Sequence, residues 1–250
     1  MDTEEKSLKN FLSESDELGA YLRHFPSTLL NIYSQLHLNN CAFAEKNNVM
    51  AKIITLAHQK GGVGKSTLAL NLSLCFKSQL RVALIDTDLQ GSIYHLRDEF
   101  KDLDILTPDR IIGLPALDYD LIVVDTPPYL SNKLNDLFHQ SDYVLVPTKA
   151  GFFDIMAIRS TLALIRFSQA KNNRLKAGIV LNMVKPRSGL TAEVTSLLQT
   201  LGTPLLRTRV FDRVSIARSS MTAGVLKGTD QKAIEEITAL AGEIIDMISE

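Results

Sequence analysis

Two lysines five positions apart, Lys60 and Lys65, bracket the glycines Gly61, Gly62 and Gly64 and are followed by two hydroxyls, Ser66 and Thr67. Glycines in this arrangement are expected at positive φ, which turns backbone N–H groups toward phosphate oxygens. Val63 lies within the same loop, Lys65 is spaced to reach β- and γ-phosphates, Ser66 to take a Mg²⁺ position, and Thr67 to meet the α-phosphate. Farther on, Asp86 and Asp88 stand two positions apart and Asp125 closes the run LIVVD. Carboxylates beside a phosphate loop hold the metal ion and position a water, which is most of what phosphoryl transfer asks of a protein.

These groups need rigid supports, and the pattern supplies them. Lys52 to Ala57 (KIITLA) reads as a strand and Leu68 to Phe76 (LALNLSLCF) as a helix, so the glycine loop joins strand to helix, the context in which its backbone and the helix's positive end act together. Further strands are expected over Arg81 to Asp86, Asp120 to Asp125, Tyr143 to Pro147 and Ala177 to Met183, with helices over Asn132 to His139, Asp154 to Ala170, Leu190 to Leu201 and Gln231 to Ile248. Such alternation predicts an α/β fold: a mostly parallel twisted sheet with helices on both faces and ligands at the carboxyl ends of the strands. Residues 50–250 make up this domain. Residues 1–49 read as a short helical extension, broken at Pro26 and too small for a core of its own; it docks, binds a partner or stays mobile, and Met50 offers a second start position.

Composition narrows the function classes. At 250 residues, 45% of them apolar, the chain can build a substantial core, and it contains no run long enough for a membrane span. The polar N-terminus MDTEEKSLKN lacks an apolar signal region, so a cytoplasmic location is expected. Cys41 and Cys75 are too few for a disulfide framework, a zinc site or an iron–sulfur cluster. The net charge of −1 hides an asymmetry: between Lys171 and Gly228 ten Lys and Arg face two acids, an excess that favours a polyanionic partner.

The ordinary pattern GxxxxGK[ST] fails, because its first glycine falls on Gln59. The string KGGVGKST, with Lys60 as the extra lysine, instead resembles the deviant Walker A motif of the ParA/MinD family of ATPases, and the resemblance extends over residues 50–250. It implies ATP and Mg²⁺ as ligands. The stretch Asp86-Thr87-Asp88-Leu89-Gln90 resembles the family's Walker A′ motif with Leu89 in place of the usual proline. Asp88 then orients the attacking water, and Asp86 supports the Mg²⁺ from behind. LIVVDTPP resembles Walker B, with Asp125 holding Mg²⁺ and Thr126-Pro127-Pro128 sensing the γ-phosphate. Asn182 corresponds to the asparagine at the adenine edge, and Pro147 and Thr148 to the start of the base-lining loop. Asp154 matches an acidic position that meets the extra lysine or a dimer partner, an N-cap being the other reading.

By the same resemblance Lys60 reaches across an ATP-dependent homodimer to the neighbour's phosphates, as a lysine counterpart of an arginine finger. Arg213 and Gly224 fit a family pattern near the C-terminus, and Arg213, Arg218 and Arg187 are candidates for contacts to DNA phosphates without base reading. The implied function is DNA segregation: the ATP-bound dimer holds DNA on the nucleoid and a ParB-like centromere-binding protein stimulates hydrolysis. The main alternative is a ParA-like ATPase that positions a protein cargo such as a conjugation, secretion or chemotaxis complex. A regulatory role for residues 1–49 is a further alternative. The acidic polar face of Gln231 to Glu250 argues against a membrane-binding helix, and the two-lysine string against a small-molecule kinase such as dethiobiotin synthetase.

Overall fold

Runs such as VALID and LIVVD have no polar face to offer water, so they are stable as strands only when covered on both sides. The computed structural model places them so. It describes residues 50–88, 93–129, 132–186 and 189–249; the expected N-terminal extension, Cys41, Leu89, Gln90 and Arg187 lie outside these residues.

In chain order β1 is Lys52–Leu56, α1 Lys65–Phe76, β2 Val82–Asp86, β3 Asp104–Leu106 and β4 Leu121–Asp125. Next come α2 Asn132–Gln140, β5 Tyr143–Thr148, α3 Phe152–Gln169 and β6 Lys176–Val184. The chain continues through α4 Leu190–Gln199, β7 Leu205–Phe211, the short α5 Val214–Ala217 and α6 Gln231–Ser249. The described strands form one seven-stranded sheet in the order β3-β2-β4-β1-β5-β6-β7, parallel throughout. The α/β expectation holds. β1 is central, hydrogen-bonded to β4 on one side and β5 on the other, and the chain leaves it first toward β2 and later toward β5 and β6. That reversal opens a crevice at the strand ends where the glycine loop emerges.

Two strands were not read from residue pattern. β3 is three residues long at the sheet edge, too short to show a period. β7, expected only through the family pattern around Arg213, is the opposite edge. Its exposed backbone is closed by α6: Glu243 accepts the N–H groups of Arg207 and Thr208 at 2.7 and 3.0 Å, and Glu236 accepts that of Phe211 at 2.9 Å. Carboxylates thus take donors that would otherwise invite a foreign strand. α1 is buried nearly all round, with Leu68, Leu70, Leu72 and Phe76 all in the interior, because it lies between the sheet and α6. The crossover from β3 to β4 carries only the 3₁₀ turns Pro108–Ile111 and Leu114–Ala116. It leaves a groove lined by Ile111, Ile112, Tyr129, Leu134 and Leu137.

Candidate functional site

The loop after β1 is held from its first residue. His58 is buried, its Nδ1 accepts the Lys60 N–H at 2.8 Å, and burial together with the Lys65 charge lowers its pKa to about 4, against the pull of Asp154. The ring is therefore neutral at pH 7 and free to accept. Gly62 (φ 69°) and Gly64 (φ 91°) occupy the left-handed region. Gly61 does not, contrary to expectation; a Cβ there would make an ordinary 3.8 Å contact with the Pro128 Cβ. Gly64 is required twice over: it caps α1, and the place of its missing Cβ is filled by Asn182 Nδ2, which donates to the Val63 carbonyl at 2.8 Å. The amino end of α1 presents unpaired N–H groups and a positive dipole end to whatever lies in the cradle.

Lys65 is the inner lysine, 6% exposed, with Nζ 3.4 Å from the Lys60 carbonyl. Burial lowers its pKa, opposed by Asp125 and Asp88. Ser66 and Thr67 are half-buried at the mouth of the cradle. Lys60 is the outer lysine: its Nζ pairs with Asp154 Oδ1 at 2.8 Å while its side chain stays 42% exposed. Gly151 caps α3, so Asp154 spends its carboxylate on Lys60 rather than on the cap.

The carboxylates divide their work. Asp86 is saturated by backbone, its oxygens accepting the N–H groups of Asp88, Ile93 and Tyr94 at 3.0, 2.9 and 3.1 Å. It shapes the loop that carries Asp88. Asp125 is buried, and among the described residues neither carboxylate oxygen has a well-formed hydrogen bond, the Ser66 hydroxyl standing near without completing one. Burial raises its pKa to about 7; the Ser66 hydroxyl and Lys65 hold it down, and Asp86 and Asp88 push it up. Neighbouring strand ends are laced together, Thr87 donating N–H and hydroxyl to the Asp125 carbonyl at 3.0 and 2.7 Å and Thr126 its hydroxyl to the Leu56 carbonyl at 2.7 Å.

Two features of the loop and strand ends suit particular ligands. A cradle of N–H groups and lysine suits phosphates, and an orphan carboxylate beside a hydroxyl suits Mg²⁺, which takes few protein oxygens and completes its shell with phosphate and water. Among the described residues no set of three His, Cys, Asp or Glu converges on a metal position.

Residues 54–224 match the CobQ/CobB/MinD/ParA nucleotide binding domain. The chain belongs to this ParA/MinD family. A curated relative, the maintenance of carboxysome distribution protein A of Halothiobacillus neapolitanus, is 31% identical over 207 residues, which cover 77% of this chain and 95% of that protein. The chromosome-partitioning ATPase Soj of Thermus thermophilus is also 31% identical, over 58% of this chain and 75% of its own. A putative plasmid partition protein of Borrelia burgdorferi B31, solved with AMPPNP, superposes with a TM-score of 0.64 at 23% identity, covering 78% of this chain and 99% of its own. The P-loop fold and nucleotide binding are therefore those of a ParA/Soj-like ATPase.

Other expected site residues fall into place less simply in this ParA/MinD-family chain. Pro147 and Thr148 are buried inside β5, so the loop begins after both of them, at Lys149. Arg213 gives Nε and Nη2 to Glu236 Oε1 at 2.9 and 2.6 Å, so its charge is already matched; Arg218 is exposed. No helix among the described residues is long and apolar enough to cross a membrane.

Sequence reasoning missed Asn71. Fully buried on α1, it donates to the Thr67 carbonyl (2.8 Å) and Ser219 Oγ (2.7 Å) and accepts the Val225 N–H (2.9 Å), tying the nucleotide helix to the segment that bears Arg218. An Asn inside the apolar run LALNLSL was the available signal, since a buried amide needs partners. Asn71→Leu leaves the Val225 N–H unsatisfied and is expected to cost about 2–4 kcal/mol, read as a lower urea midpoint.

Proposed function

We propose that this protein is an ATP-dependent DNA segregation ATPase. ATP·Mg²⁺ brings two copies together, the dimer associates with nucleoid DNA without reading its sequence, and a ParB-like centromere-binding partner stimulates hydrolysis and release. In this cycle Lys65 and the N–H groups of Gly61, Gly62, Val63 and Gly64 hold the phosphates, with Thr67 at the α-phosphate. Ser66 and Asp125 hold Mg²⁺, Asp86 backs them, and Asp88 orients the water. Asn182 meets the adenine edge with the amide edge not spent on Val63, and Pro147 lines the base from its strand.

The observation that carries the DNA part is the basic segment: Lys185, Arg207, Arg209 and Arg218 are all exposed, and of these only Arg207 has an acid within ion-pair reach among the described residues, Glu243 at 3.6 Å. Arg187 remains a candidate. Arg213 is the weaker one, since its guanidinium is held by Glu236.

The test is binding of the purified protein to random duplex DNA with ATP·Mg²⁺ and with ADP·Mg²⁺ over a salt series. ATP-dependent, sequence-indifferent and salt-sensitive binding is expected. Arg218→Ala should weaken it evenly across sequences and lower the salt slope by about one. No binding in either nucleotide state would favour the second reading, a ParA-like ATPase that positions a protein cargo. That reading draws support from the 31% identity to a carboxysome distribution protein along 95% of its length.

A further inference from the structure

Three lysines converge on the amino end of α1, and the surrounding carboxylates account for two. Lys60 is paired with Asp154. Lys65 is balanced by Asp125 and Asp88, while Asp86 spends both oxygens on backbone N–H groups. The third is Lys149. Its Nζ lies 4.0 Å from the point where a Cβ would stand on Gly62, over the open face of the cradle. No ion pair to it occurs among the described residues. The root of the side chain is fixed: Lys149 directly follows β5, and its carbonyl accepts the Gly151 N–H at 2.9 Å and the Thr148 hydroxyl at 3.4 Å. The side chain is half-buried, so its ammonium is not simply adrift in water.

A cation held beside two others and the positive end of a helix raises the energy of the empty site. What relieves it is an anion of several charges at the face of Gly62. We propose that Lys149 is a third phosphate-binding lysine of this site, directed at the terminal phosphate of ATP. It would have been passed over in the sequence as a loop residue next to Pro147 and Thr148. Its placement follows from the β1–β5 pairing, which brings the residue after β5 beside the loop after β1, although the two are distant in the chain. The inference deepens the nucleotide part of the proposed function and is independent of DNA and of any ParB-like partner. The phosphate met by Lys149 belongs either to its own nucleotide or to that of a second copy, and the chemistry is the same.

The experiment titrates fluorescent ATP, ADP and AMP analogues with Mg²⁺ against the full-length protein, Lys149→Met and Lys149→Arg at nanomolar protein, and follows ATP-dependent dimerisation of each at micromolar protein by sedimentation. For Lys149→Met an ATP affinity lower by about 10-fold or more is expected, with a smaller loss for ADP, none for AMP, and most of the affinity kept by Lys149→Arg. If the phosphate is the second copy's, the dilute affinity stays and ATP-dependent dimerisation weakens by a similar factor. Both ATP affinity and dimerisation within twofold of wild type would overturn the proposal, as would an equal loss for AMP, which marks a disturbed fold. A wild-type protein that binds none of the three analogues would overturn the nucleotide reading itself, and that arm is read before any variant.

Discussion

Lys60→Ala is expected to keep ATP bound while ATP-dependent dimerisation disappears, and partner-stimulated hydrolysis should fall by about 10³-fold or more, the range of a finger supplied from outside the site. The separation of effects follows from how the two lysines are held. Lys65 is 6% exposed and points inward under the loop, so it carries the phosphate contact within its own chain. Lys60 keeps 42% of its side chain in solvent and is anchored only at its tip, to Asp154 at 2.8 Å. Lys60 is exposed enough to leave, but Asp154 is only 9% exposed, so its release leaves a buried carboxylate, and the contact to a phosphate of a second copy has to outweigh that cost. Sedimentation velocity with ATP·Mg²⁺ and with ADP·Mg²⁺ reads the dimer, and mixing the variant with wild type reads the finger. A Lys60→Ala protein that dimerises as wild type does would remove the cross-dimer role and leave Lys60 as a surface residue fixed by Asp154.

How far this site could be read from sequence depends on how local each cause is. Asp86 and Asp125 were placed at strand ends to the residue, because a run of apolar β-formers that stops at a carboxylate is a statement about neighbours in the chain. The helix was expected from Leu68 but begins at Lys65: Lys65, Ser66 and Thr67 carry no apolar period, and the turn is set by Gly64 instead. Contacts through space left no such trace. Glu236 lies 23 positions from Arg213, on α6, and nothing near Arg213 says that its guanidinium is taken. Asn182 is assigned to the base through the family resemblance alone, and nothing near it in the chain says that its Nδ2 is given to Val63, 119 positions away. For Asp154 the sequence leaves open the extra lysine, a dimer partner or an N-cap; Gly151 takes the cap, and Lys60 meets Asp154 at 2.8 Å. The fold was legible because alternating strands and helices are local patterns. Which polar group faces which depends on the sheet order, and only the folded chain supplies that.

The buried carboxylate of Asp125 leads to the second large effect, in which stability and function move in opposite directions. Its pKa rises from the ordinary 3.8 to about 7, chiefly through burial, and among the described residues neither oxygen has a well-formed hydrogen bond. Above pH 7 the folded chain therefore holds an unsolvated charge that the unfolded chain holds in water, a penalty of about 4 kcal/mol by linkage. Below about pH 4 both states carry the neutral acid and the penalty vanishes. Stability is thus lost as pH climbs from about 4 to about 7 and then levels. Asp125→Asn removes the charge but brings an N–H pair that needs acceptors, so part of the gain is returned. We expect the nucleotide-free variant to be more stable than wild type at pH 7.5 by about 2 kcal/mol, a Tm higher by about 4–8 °C, with the gap closing toward pH 4. ATP·Mg²⁺ should reverse the order, since the cation that satisfies the carboxylate raises the wild-type Tm and leaves that of the variant nearly unchanged. Melting curves from pH 4 to 8, with and without ATP·Mg²⁺, read both effects. A nucleotide-free variant that melts below wild type at pH 7.5 would mean that Asp125 is satisfied inside the fold, and the case for a metal ion beside Ser66 would lose its main support.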